Sequence, residues 1–242
     1  MLLSDYLAQT QNLLQYPGSA TSGLYTQPNL FSYINIARTQ VAAEGECARR
    51  YTSLAVTTTA NQWPLSAVVL TPGTSATFKV NQMWRLNTGL GPFTQTLLEA
   101  RSFEWLSTYY SLVVAPSGPP KVWAPYNQGT MGSIFIAPTP DATYSLPVDA
   151  VVLPSPLSAP SDAETVIPGI WDVAVPYFAA YLALLGAQMQ ARAADAQRML
   201  TLYETFMERA RRFATPQVLP ANYSQVPNQV QANQLGLQKA AG

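Results

Sequence analysis

Between Tyr51 and about Pro160 the chain is written in short β-branched and aromatic runs broken by Pro and Gly, while the residues on both sides of it repeat at helical spacing. That change of period constrains the fold more than any other feature, because a strand needs alternation and a helix needs a stripe recurring every three to four residues. The runs "YTSLAVTTTA", "SAVVLT", "SATFKVNQMWRL", "GSIFIAPT" and "ATYSLPVDAVVL" predict antiparallel sheet. Inside this region "FTQTLLEARSFEWLSTYYSLV" places Leu98, Phe103, Leu106 and Tyr110 at loosely helical intervals with no Gly or Pro, which predicts a helix.

The flanks are helical. Ser4 and Asp5 form a start signal, and Leu3, Tyr6, Leu7, Thr10, Leu13 and Leu14 give one face before "YPGS" ends it. Pro28 suits the first turn of a second helix with Leu30, Tyr33, Ile34, Ala37 and Val41 facing inward, fading near Gly45. After the Pro-rich punctuation "LPSPLSAPSDAETVIPG", a third helical segment starts near Ile170 with Phe178, Tyr181, Leu182 and Leu185 on its face. Met199, Leu200, Tyr203, Phe206, Met207 and Ala210 mark the next, and the two form a hairpin that turns between Gly186 and Ala193. The expected class is α+β: residues 1–50 and 166–214 pack as a helical bundle, 51–165 is a β-rich antiparallel insertion with one helix, and 215–242 is an extended C-terminal tail. Beyond Pro216, Val218, Leu219, Tyr223, Val226, Val230, Leu235 and Leu237 are too sparse for a core, so the tail is expected not to fold alone.

Thirteen basic and thirteen acidic residues cancel, which excludes the global field of a dedicated nucleic-acid binder. Only 11% of residues are charged, against about 25% in ordinary soluble domains, so copies of this chain repel one another weakly. The lone Cys47 permits no intrachain disulfide and reads as a structural thiol. "MLLSDYLAQT" has neither the basic nor the apolar region of a secretory signal, and the apolar run "VAVPYFAAYLALLGA" is short for a bilayer and contains Pro176, so no membrane is expected.

The chain has no His, which removes the commonest general base and zinc ligand and leaves Cys47 without the usual partner of a thiol nucleophile. Glu44/Glu46, Glu99/Glu104 and Glu204/Glu208 read as solvated carboxylates in salt bridges before acid–base couples. No Gly-rich loop leads from a strand into a helix, since "NTGLGPF" puts Pro where free amides are needed. Neither catalysis nor a cofactor is expected. Trp63, Trp84, Trp105, Trp123 and Trp171 lack interleaved Lys and Arg and read as core or interface anchors; a monomeric β-rich ligand- or carbohydrate-binding module is the alternative if several share one exposed strand face.

"LSDYLAQTQNLL", "SYINIARTQVAAEGECARRYT", "IAPTPDATYSLPVD", "WDVAVPYFAAYLALLGAQMQ" and "YETFMERARRFATPQVLPANY" together resemble the head-to-tail adaptor (connector) proteins of tailed bacteriophages. The resemblance implies a ring of about twelve copies closed through a heterologous interface. It further implies a position in the virion neck, assembled in the host cytoplasm. There the ring extends the DNA channel and joins the portal to a tail, nozzle or tail-tube component, with genomic DNA passing unbound. Arg209, Arg211 and Arg212 close the last helix, where the macrodipole favours each cation by about 0.3–1 kcal/mol. In the adaptor reading they also meet portal carboxylates, and DNA contact ranks third. The tail's seven apolar residues are the expected portal anchors.

Overall fold

The computed structural model describes residues 1–15, 25–58, 60–86, 95–110, 116–127, 129–186 and 192–214. Its fold is α+β with mainly antiparallel sheets. Helix α1 (Leu3–Leu14) buries Leu3, Tyr6, Thr10 and Leu14, as its spacing predicts. It starts ahead of the Ser4–Asp5 signal, with Leu2 at the cap. Leu2 has no side-chain acceptor, so the free amides of the first turn are satisfied from elsewhere. The Leu3 and Ser4 amides donate to the carbonyls of Asp162 and Pro160 at 2.9 and 3.1 Å, and the Asp5 carboxylate accepts from the Leu2 amide at 2.8 Å.

Helix α2 (Gln27–Gly45) carries Pro28 in its first turn and buries Leu30, Ile34, Ala37, Arg38, Val41 and Ala42. It ends at Gly45 because Glu46 turns into left-handed backbone (φ 47°), and Gly45 itself admits the Trp171 ring, from which a Cβ there would stand 2.6 Å. The strands are β1 (Arg49–Val56), β2 (Gln62–Pro64), β3 (Thr74–Leu86), β4 (Gln95–Leu97), β5 (Glu99–Ala100), β6 (Ser117–Gly118), β7 (Val122–Tyr126), β8 (Ser133–Ala137), β9 (Thr139–Pro140) and β10 (Tyr144–Pro154). One sheet has the order β1-β10-β3-β4, a second β2-β8-β7-β5, and β6 and β9 form a short parallel pair. Strand β10 is buried almost without interruption from Leu146 to Val152, as a central strand covered on both faces must be.

Two strand-region expectations need correction. "SAVVLT" is no strand: Leu65–Ala67 is a 3-10 turn, and Val68 makes only an isolated bridge to Leu54. The predicted helix across 93–113 shrinks to α3 (Phe103–Tyr109), because Gln95–Leu97 pairs with β3 and Glu99–Ala100 with β7. Ser102 sets the boundary, its Oγ accepting from the Trp105 amide at 3.2 Å. Strand β7 matches none of the runs read as sheet in the sequence, and it carries Pro125. That residue is tolerated because β5 pairs only as far as Trp123, leaving one side of Pro125 without a ladder partner in that sheet.

Helices α4 (Gly169–Asp172), α5 (Val175–Gly186) and α6 (Ala193–Ala214) follow, and α5 packs against α6, α2 and α1. The ends of α5 and α6 are the limits between which the sequence predicts a turn. The buried face of α5 is Val175, Pro176, Ala179, Ala180, Ala183 and Leu184. Phe178, Tyr181 and Leu182 are only half-buried and Leu185 is exposed. A helix apolar all round shows no single stripe, and its small side is the one that lets neighbouring helices approach. Gly169–Gly186 is long and apolar enough by length and composition to cross a membrane, contrary to the sequence reading, and half of it is buried inside the fold.

The main core joins Leu3, Ile34, Val41, Trp171, Tyr203 and Met207 of the helices to Leu54, Met83, Val148 and Val152 of the first sheet. A second cluster lies among Leu14, Leu30, Ala180, Leu184 and Ala196, and a third, with Leu106, Val122 and Phe135, lies between α3 and the second sheet. Tyr203 is 2% exposed, whereas Phe206 is half-buried and stacks on Tyr177 at 4.9 Å. Tyr203→Ala is therefore expected to cost about 3–5 kcal/mol. Phe206→Ala should cost only about 1–2 kcal/mol, because part of its area already faces water. Urea denaturation of the two variants checks the order.

Candidate partner-binding surface

The arginine cluster at the end of α6 is divided among three environments. Arg211 donates to Glu44 Oε1 at 3.0 Å and to the Glu44 carbonyl at 3.3 Å, tying α6 back to the end of α2. Arg212 pairs with Glu208 one turn earlier on the exposed side, and the Arg209 guanidinium lies 5.9 Å from the centre of the Phe213 ring. Glu44 also accepts from the Tyr203 hydroxyl at 2.6 Å and from Gln40 Nε2 at 3.3 Å. Burial alone would push the Glu44 carboxyl up, but hydrogen bonds from Tyr203, Arg211 and Gln40 hold it below the ordinary range. Burial and the neighbouring Glu44 carboxylate push the Tyr203 phenol upward in turn. The expected tail anchors Val218, Leu219, Tyr223, Val226, Val230, Leu235 and Leu237 lie outside the described residues.

Beside Arg209 runs a groove of about 290 Å³, lined by Ile170, Val173, Phe206, Arg209, Ala210 and Phe213. Ile170, Val173 and Phe213 expose 46%, 38% and 67% of their surface there. Sequence reasoning missed it, because its lining comes from α4, the turn after α4, and the outward side of α6. A second apolar patch lies on the outer side of the first sheet, beside the Arg49–Asp149 ion pair. Trp84 on β3 stands opposite Leu97 on β4, the Tyr51 ring on β1 lies 5.7 Å from Trp84, and Tyr51 exchanges hydrogen bonds with Gln95. Leu86, Leu97 and Tyr51 are all exposed.

A buried polar network anchors the 155–167 segment to the helices. The Arg38 Nε–Glu164 Oε2 pair is 2.6 Å long, with both side chains almost wholly buried. Arg38 Nη1 also donates to Asn35 Oδ1 at 3.0 Å and to the Ser155 carbonyl at 2.7 Å. Asn35 bonds both ways with the Leu157 backbone, and Glu164 Oε1 accepts from the amides of Val166 and Ile167. Burial would raise the Glu164 carboxyl, yet Arg38 and those amides hold it below its ordinary value. The segment that reads as Pro-rich punctuation is thus a strap fixed to α2 and, through Pro160 and Asp162, to α1.

The family model described as SU10 adaptor protein matches residues 1–228, spanning both helical flanks and the β region between them. The chain belongs to the SU10 adaptor protein family. Membership agrees with the resemblance to phage head-to-tail adaptors and makes the chain a structural adaptor of a bacteriophage virion. No curated protein matches it. In this SU10-family adaptor the carboxylate pairs singled out by sequence are drawn apart by cations. Glu44 takes Arg211, Glu46 takes Lys79, Glu99 takes Arg101 and Glu208 takes Arg212. The tryptophans do not share an exposed strand face: Trp63, Trp123 and Trp171 are buried, Trp84 lies on β3, and Trp105 on α3 stacks with Tyr109.

Proposed function

We propose that this adaptor closes into a ring of about twelve copies on the portal, at the virion neck. There it extends the DNA channel and receives a tail, nozzle or tail-tube component, acting without catalysis or cofactor after assembly in the host cytoplasm. On this reading residues 1–50 and 166–214 form the helical bundle, 51–165 is the β-rich insertion that serves as platform, and 215–242 is the tail that reaches along a neighbouring portal subunit. The exposed apolar patch of Tyr51, Leu86 and Leu97 around the half-buried Trp84 carries the reading. An apolar face of that kind on a weakly charged chain suits burial against a like subunit, where no field of one sign opposes closure. A net charge of zero also suits a channel wall, since strong phosphate contacts would hold DNA that has to pass.

Leu97→Lys tests the face. It is 57% exposed at the end of an edge strand, so the substitution is expected to leave the melting temperature of the free protein within a few degrees while preventing ring formation on portal. Full-size rings from Leu97→Lys protein, seen by electron microscopy of portal complexes, would remove this face from the subunit interface.

A further inference from the structure

We propose that the groove between α4 and the end of α6 is the seat of this chain's own Val218 and Leu219, so that the C-terminal stretch is clasped against the helix it leaves. Ile170, Val173, Phe206 and Phe213 give the groove an apolar lining, and the Arg209 guanidinium beside Phe213 stands at its rim. Apolar side chains this exposed and this close together are a surface that lacks its cover.

Position selects the occupant. Helix α6 ends at Ala214, one residue beyond Phe213, and Pro216 prevents the helix from continuing. The first apolar residues after that break are Val218 and Leu219. They are four and five residues from Ala214, so they reach at most about 13–18 Å from it. Ala210 and Phe206 lie one and two turns back along α6, roughly 6 and 12 Å from Ala214, so a chain that reverses at Pro216 lays both residues over the groove. Residues 215–228, "TPQVLPANYSQVPN", contain no charge, so docking desolvates no ionised group of the occupant. The covalent tether gives this segment a high effective concentration that no free partner has.

The consequence for assembly rests on the adaptor reading: anchors held in the groove are withheld until a portal subunit exchanges for it. The clasp itself is measurable in the free protein. In full-length Cys47→Ser protein, which removes the native thiol, Val173→Cys and Gln217→Cys are introduced together and the rate of intramolecular disulfide formation is followed on non-reducing gels. Val173 is exposed and Gln217 lies beside the two anchors rather than among them, so neither change empties the core. Adding Val218→Ser and Leu219→Ser leaves loop length unchanged and removes only the apolar anchors. The clasp predicts that this slows the intramolecular reaction about tenfold. The same slowing is expected for an Ile170→Cys/Gln217→Cys pair. A rate that ignores the anchors, or a product that is only intermolecular, overturns the proposal. Failure here while wild-type rings still form on portal refutes the clasp alone; an intact clasp with no ring refutes only the adaptor reading.

Discussion

Replacing Arg38 with methionine is expected to cost about 3–5 kcal/mol of folding free energy, because it leaves the buried Glu164 carboxylate without its cation. The loss should far exceed that from any of the exposed arginines, since Arg38 and the Glu164 side chain are each 1% exposed. A double replacement, Arg38→Met with Glu164→Leu, removes both charges and is expected to regain a large part of the loss. That non-additivity separates an unpaired-charge penalty from simple loss of packing. The pH dependence has a definite sign. In the fold Glu164 titrates below its ordinary 4.5, so its contribution is fully present above the unfolded value and disappears as pH falls through the lower folded value. Asp172 acts oppositely: burial, reinforced by the Glu164 charge, raises its carboxyl above 3.8, so its contribution is present below that value and lost as pH rises through the folded one. Wild-type melting temperature should therefore fall on acidification below pH 4.5, and Glu164→Gln should flatten that limb. An acid limb unchanged in Glu164→Gln would place the titrating group elsewhere.

Truncation after Thr215 is expected to leave the folded core in place and abolish attachment to portal-bearing heads. Among the described residues the core clusters run from Met1 to Ala210 and are built by the helices and sheets themselves. On the proposed reading the tail contributes to binding. Burying one Leu or Val yields about 1.5–3 kcal/mol, while ordering each residue of backbone costs about 1–2 kcal/mol. One tail therefore holds weakly, and a ring of them holds through multivalency. Circular dichroism and thermal melts of the truncated protein, beside sedimentation with portal-bearing heads, measure the two halves of this expectation. Normal docking by the truncated protein would make the tail a passive extension.

Helices α1 and α6 were legible because each is amphipathic, so its stripe is written in the residues, whereas α2 was legible from Pro28 in its first turn and the spacing of Leu30, Ile34, Ala37 and Val41. Helix α5 was legible as a helix and misread as a face, since a segment apolar on every side carries no phase. The helix expected in 93–113 is present only as Phe103–Tyr109 among the described residues, for a related reason. Leu97 and Leu98 fit either period, and pairing with β3 and β7 decided in favour of strand at 95–100. The candidate surfaces were the least legible. Arg38 and Glu164 lie 126 positions apart, and Arg211 and Glu44 167 apart. No local signal marks such partners. The arginine cluster stood out as one patch in the sequence, although Arg211 pairs with Glu44 on another helix while Arg212 pairs with Glu208 and Arg209 lies by Phe213. The groove was invisible since Ile170 and Phe213 become neighbours only after α4 packs on α6.

Ring formation on the portal is measured by the mass of the particle recovered when purified portal is mixed with this protein. A ring gives a discrete complex whose added mass is a whole number of 26.3 kDa chains and does not rise with further excess of protein. On the proposed adaptor reading that number is about twelve, and a closed ring fixes it at one value. Protein that remains strictly monomeric in the presence of portal, at concentrations where the portal itself stays intact, would contradict it.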